Sequence, residues 1–213
     1  MSKASDWAGE TEQQVLDEAV RLAPSRGWTR PMAVEAARNA GLSEPEAELL
    51  LPHWSRDLAA LLSRRHDERA MEALSLIEAS SLKIRERIRT GVIARLDAAR
   101  ADEAAVRRWA GYLSLPTNLP LALRLVWESA DHLWRWAGDT ATDENHYSKR
   151  AILSGILVTC LAIDMASDRE AALAHLDRSI DNVMSFEKWK AGLKPSEYAR
   201  DMAAALSRFR YGR

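Results

Sequence analysis

The sequence contains one cysteine, Cys160, only two phenylalanines, and no excess of either charge (30 Lys+Arg against 31 Asp+Glu, net −1). A single cysteine excludes a disulfide scaffold and makes a reducing compartment the default. Cys160 lies in an apolar stretch and reads as a small core residue. Charge balance excludes a uniformly basic nucleic-acid binder. The N-terminus carries Asp6, Glu10 and Glu12 and no apolar run. This argues against a secretory signal, and its acids argue against a mitochondrial presequence. The longest apolar stretch, Ala151 to Met165, is interrupted by Ser154, Thr159 and Asp164. It is shorter than the roughly 20 residues needed to span a bilayer, so it reads as a buried helix. No segment alternates as a strand does. No Gly-rich phosphate loop, Gly-x-Ser-x-Gly elbow or zinc-ligand spacing occurs. Asp143-x-x-His146 is half of a di-iron pair, without the second pair and additional carboxylates such a site needs. The reading is therefore no enzyme, with no catalytic residues, metal or cofactor.

What the chain does have is hydrophobic residues (47%) at helical spacing throughout, and eight tryptophans. The apolar fraction is ample for a core. The pattern predicts an all-α protein of about ten helices, punctuated by Gly and Pro. These cover Glu10–Ala23, Pro31–Ala40, Ser43–Leu51, Ser55–Leu74 and Leu76–Arg100. Asp102–Leu113, Asn118–Ala137, Tyr147–Ala166, Asp168–Lys190 and Ser196–Arg210 follow. Gly41 suits a C-terminal cap, and Ser43 with Glu46 forms a capping box. Three units are expected: an N-terminal bundle over 1–60, a helical core over 61–191, and a C-terminal helix within 192–213.

The first unit has the outline of a helix-turn-helix. The segment Met32 to Ser43, followed by Trp54-Ser55-Arg56-Asp57-Leu58, resembles TetR-type repressors. The helix that would read DNA carries Glu44, Glu46 and Glu48 and no Lys or Arg. Residues 1–60 hold six basic and ten acidic residues, net −4. Phosphates repel such a surface, so the fold is kept and nucleic-acid binding is dropped.

The helix 118–137 confines its charges to Arg124, Glu128, Asp131 and Arg135, a narrow stripe at i, i+4, i+7 and i+11. The remaining Leu and Trp side chains suit either a central core helix or the wall of a cavity for an apolar ligand. The candidate lipid-binding residues are Trp109, Leu123, Trp127 and Trp134.

The run Trp109-Ala110-Gly111-Tyr112-Leu113-Ser114-Leu115-Pro116-Thr117-Asn118 leads into Trp134-Arg135-Trp136-Ala137-Gly138-Asp139-Thr140-Ala141-Thr142-Asp143-Glu144-Asn145-His146-Tyr147-Ser148-Lys149-Arg150. With Arg178 to Met184, this resembles the Coq-nine family of coenzyme Q biosynthesis accessory proteins over roughly residues 80–190. The resemblance implies a TetR-like fold without catalytic activity. It also implies an apolar cavity for isoprenoid quinone intermediates or other lipids, and association with the di-iron demethoxyubiquinone hydroxylase. The implied partner surface is Asp143, Asn145, His146, Tyr147, Lys149 and Arg150. His146 stands where mitochondrial members carry an aromatic. Read physically, Asp143 suits a helix N-cap, and Tyr147 with Arg150 lie at i, i+3 as a hot-spot pair.

The end of the chain places Tyr198, Met202, Leu206 and Phe209 on one helical stripe beside Arg200 and Arg208. From Glu187 onward, seven basic residues face three acidic ones, net +4. A basic amphipathic helix suits docking on anionic lipid, as the family resemblance also implies, or packing back on the body. The expected protein is a cytoplasmic homodimer, peripheral on the inner face of a bacterial membrane, with the helices Tyr147–Ala166 and Asp168–Lys190 at the dimer interface. The second reading is a TetR-type transcriptional regulator with an apolar effector pocket; the third is a purely structural helical adaptor.

Overall fold

A computed structural model describes residues 3–140 and 144–192. These fold as an all-α, TetR-like arrangement, with no strand among the described residues. The helices are α1 (Lys3–Arg26), α2 (Arg30–Asn39), α3 (Glu44–Leu50), α4 (Ser55–Ser75), α5 (Ile84–Arg100), α6 (Glu103–Leu113), α7 (Leu119–Trp136), α8 (Glu144–Ala166) and α9 (Arg169–Gly192). Short 3-10 turns cover Ala79–Ser81 and Pro116–Asn118. The helix expected over Ser196–Arg210 lies outside the described residues.

Local chemistry sets most boundaries. Thr29 accepts the Met32 N–H and starts α2, with Pro31 in its first turn. Gly41 closes α2 at φ +87°, where Leu42 N–H reaches Ala37 O and Gly41 N–H reaches Arg38 O. An L-residue is disfavoured there, and glycine carries no such penalty. Ser43 and Glu46 form the expected capping box of α3.

One expected helix starts late. Residues 76–83 of the expected helix 76–100 hold only the 3-10 turn Ala79–Ser81, and α5 starts where the Glu86 carboxylate accepts the Lys83 N–H at 2.8 Å. Leu76 is fully out in solvent, so no burial offsets the cost of continuing the helix. The basic run that follows is a clamp: Arg85 and Arg89 pair with Asp181 and Asp177 of α9.

Helix α4 is the central strut, packed against α1, α5 and α7. The expected boundary after residue 60 falls inside it. Leu16, Trp28, Met32 and Leu58 share one apolar cluster with Trp109, Leu113 and Leu121. A second cluster joins Leu74, Val92 and Leu133 to Leu153, Cys160 and Leu176. Cys160 is a core residue, its thiol pushed up to about 11 by burial.

Candidate functional site: an apolar cavity with a polar floor

Helices α4 to α8 enclose a cavity of about 510 Å³. That is the size of a site for a drug-sized ligand, roughly 300–1,000 Å³. On α7, Leu119, Ala122, Leu123, Val126 and Ser129 follow i, i+3, i+4, i+7 and i+10, one helical face. On α8, Leu157, Val158, Leu161, Ala162 and Met165, at i, i+1, i+4, i+5 and i+8, form one face from the other side. Trp109 and Leu113 of α6 complete the apolar wall. Leu119, Leu123 and Val158 are at least half exposed, which puts the mouth between α7 and α8.

The buried end is different. Ser63 of α4, Arg95 of α5 and Ser129 of α7 line it, each more than nine-tenths buried. Behind them Asp67 receives the Arg95 Nε–H at 2.6 Å and the Ser129 hydroxyl at 2.7 Å. His132 stands 3.8 Å away across its other oxygen. Burial pushes the Asp67 carboxyl upward, but the nearby His132 imidazole, the Arg95 charge and the bonds from Ser129 and Arg95 outweigh it and hold the group below its ordinary range. The charged Arg95 side chain is thus fixed by its Nε edge, leaving its far edge toward the cavity.

Of the four sequence-predicted lipid residues, Trp109 and Leu123 line this cavity, while Trp127 and Trp134 do not. Those two lie about one and about three turns beyond Leu123, where α7 faces the first half of α8. Trp127 packs on Tyr147 with ring centroids 6.2 Å apart. Trp134 donates its indole N–H to Lys149 O at 3.0 Å and lines a smaller apolar groove of about 220 Å³ with Ile88, Ile152 and Ile180. Sequence reasoning missed Arg95, although the signal was there. Ile88, Val92, Leu96 and Ala99 set the buried face of α5, and Arg95 falls on it.

The predicted partner residues are divided. His146 and Tyr147 form an edge-on aromatic pair at 5.2 Å, and Tyr147 is 64% exposed. Lys149 bonds Asp139 at 2.6 Å while its ammonium lies 5.3 Å over the Trp134 ring. Arg150 is not on the surface beside Tyr147. It is 2% exposed and reaches Asp131 at 2.6 Å, Asp139 at 3.0 Å and His146 O at 3.1 Å. A buried guanidinium needs compensation from carboxylates, and the turn after α7 brings Asp139 to it. The spacing i, i+3 separates the two side chains by about 60° around α8, which puts Arg150 on the buried face and Tyr147 outside it. Asp143, the Asn145 side chain and the predicted membrane residues Tyr198, Arg200, Met202, Leu206, Arg208 and Phe209 lie outside the described residues.

Residues 119–187, which hold α7, α8 and most of α9, match the COQ9 family. The chain is 30% identical over 204 residues to the ubiquinone biosynthesis protein COQ9, mitochondrial, of Rattus norvegicus, covering 85% of this chain and 64% of the relative. It is 29% identical to the proteins of the same name from Bos taurus and Homo sapiens, covering 84% of this chain and 60% of each. The chain thus spans less than two thirds of these relatives' length.

Proposed function

Because the chain belongs to the COQ9 family, we propose that it is a lipid-binding accessory protein of ubiquinone biosynthesis, which holds isoprenoid quinone intermediates and presents them to a demethoxyubiquinone hydroxylase at a membrane. The observation that carries this is the apolar cavity of about 510 Å³, whose mouth between α7 and α8 lies in the family-matched segment. Exposed Leu119, Leu123 and Val158 at its mouth suit a ligand that arrives from lipid. Native mass spectrometry and lipid extraction of the purified protein test the proposal. A co-purifying or titratable isoprenoid is the expected result; a ligand-free protein with no affinity for isoprenoids would sink it.

The exposed Tyr147, with the half-buried His146 against its ring and Trp127 behind it, is the proposed hydroxylase contact. Aromatic side chains that are rigid and half-desolvated are typical interface anchors. Tyr147→Ala is expected to weaken capture of the hydroxylase by at least about tenfold while melting behaviour stays the same. Capture unchanged within twofold would remove this surface from the proposal.

No helix of the described residues is long and apolar enough to cross a membrane. Peripheral attachment to the inner face of a bacterial membrane, through the basic segment after Pro195, is part of the proposal. So is a homodimer built on α8, whose Ala151, Ile152, Gly155 and Thr159 are solvent-exposed and uncharged. Sedimentation giving only monomer across the micromolar range would refute the dimer.

A further inference from the structure

The cavity has a polarity that an apolar container does not need. Its buried end presents donors that no protein atom uses. Arg95 Nε is committed to Asp67, and Nη2 approaches the Ser63 hydroxyl at 3.5 Å. Nη1 has no acceptor among the described residues, and neither does the Ser63 hydroxyl proton. The Ser129 hydroxyl gives its proton to Asp67 and keeps lone pairs free. Buried hydrogen-bonding capacity left unpaired is costly, more so for a charged group. A dry hydrocarbon chain against this floor would incur that cost.

We infer that the cavity binds its ligand in one orientation, with an oxygen-bearing head deep against Arg95, Ser63 and Ser129 and a single hydrocarbon tail leaving through the mouth at Leu119, Leu123 and Val158. This rests on the lipid-binding reading and narrows its ligand class. The head must accept from Arg95 and Ser63; a phenolic hydroxyl on it could also donate to Ser129. It is neutral, because Asp67 already balances Arg95, and a full carboxylate or phosphate would bring a buried charge without a counter-ion. Carbonyl, methoxy and phenol oxygens on an aromatic or quinonoid ring meet both conditions. The tail is single, because the stretch between floor and mouth, within about 510 Å³ in all, must hold the head as well as the first part of each chain.

Three probes of matched tail length test this: decyl-benzoquinone, decylbenzene and decanoate, each displacing the neutral fluorophore N-phenyl-1-naphthylamine from the full chain. In the unsubstituted protein the quinone is expected to bind more tightly than the other two. Arg95→Met is expected to weaken the quinone by about tenfold, the scale of one hydrogen bond to a charged donor. Decylbenzene affinity should stay within twofold. Ser63→Ala leaves the Arg95–Asp67 pair intact and is expected to weaken the quinone alone by several-fold, so the test survives if Arg95→Met unfolds. Equal loss for quinone and hydrocarbon, or no loss for the quinone, overturns the orientation. Decanoate binding more tightly than the quinone overturns the neutral head. Binding of none of the three overturns the lipid-binding reading itself, and the orientation with it.

Discussion

Arg150 shows how one residue can carry two readings that only its surroundings separate. In sequence it sits in a specific family string and resembles a surface contact. In the fold it ties the end of α7 to α8 through Asp131 and Asp139. Arg150→Met should destabilise the protein by about 3 kcal/mol, the low end for breaking a buried pair, because Lys149 and Arg135 still serve the two carboxylates. Urea denaturation checks this, and a loss under about 1 kcal/mol would show the pairs to be dispensable. Two histidines should titrate on opposite sides of the free value. His66 is fully buried, and burial lowers its pKa despite the Asp102 carboxylate 2.9 Å from Nε2. Its Nδ1 has no partner, so a proton there would be unsatisfied. The unfolded chain therefore takes up a proton below pH 6.5 that the native imidazole refuses, and this residue's contribution to stability is lost as pH falls through 6.5. His132 is raised, chiefly by the Asp67 carboxylate 3.8 Å from its Nδ1; its contribution is present below 6.5 and lost as pH rises through its higher native value. Histidine NMR titrations should place His132 above 6.5 and His66 below. The reverse order would mean that Asp102 outweighs burial at His66 and that Asp67 does not hold the proton of His132.

At the scale of elements, tryptophan proves to be a pin between helices. Trp28, Trp109, Trp134 and Trp136 each donate the indole N–H to a backbone oxygen of another element: Ser55, Ala59, Lys149 and Leu74. A large apolar body with one donor suits that role better than phenylalanine would, which gives a physical reason for eight Trp against two Phe. Helix α5 meets α7 closely at Gly91, where an added Cβ would lie 3.2 Å from Leu133 Cδ2. Leu133 can yield a few tenths of an ångström to Gly91→Ala. Gly91→Val should cost about 1–3 kcal/mol through overpacking, read as a drop in melting temperature by calorimetry. A neutral valine would mean that α5 and α7 separate freely.

For the whole molecule, the acidic N-terminal region and basic C-terminal segment predict opposite behaviour toward two polyanions. Gel shifts at low salt should show no sequence-specific DNA complex, because exposed Glu44, Glu46 and Glu48 occupy the helix that would enter the groove. Sedimentation with vesicles should show binding that needs anionic lipid and weakens with salt, and that falls several-fold in an Arg200→Glu, Arg208→Glu double variant. Salt-insensitive binding to neutral vesicles would point instead to the apolar cavity mouth.

Helix periodicity and caps made the all-α class, most helix boundaries and the apolar character of α7 legible in sequence, because each depends on neighbours within a few residues. The family string did the same for the family. The late start of α5, at Ile84 and not Leu76, was not legible, since it depends on the absence of a packing partner for the turns before it. Nor could sequence spacing decide that Trp109 and Leu123 share a cavity that Trp127 and Trp134 miss, or that Arg150 faces inward. Those outcomes depend on which half of α8 lies opposite each turn of α7, and on carboxylates brought together from distant positions. The polar floor is of the same kind: Ser63, Arg95 and Ser129 come from three helices, and only their packing makes one surface of them.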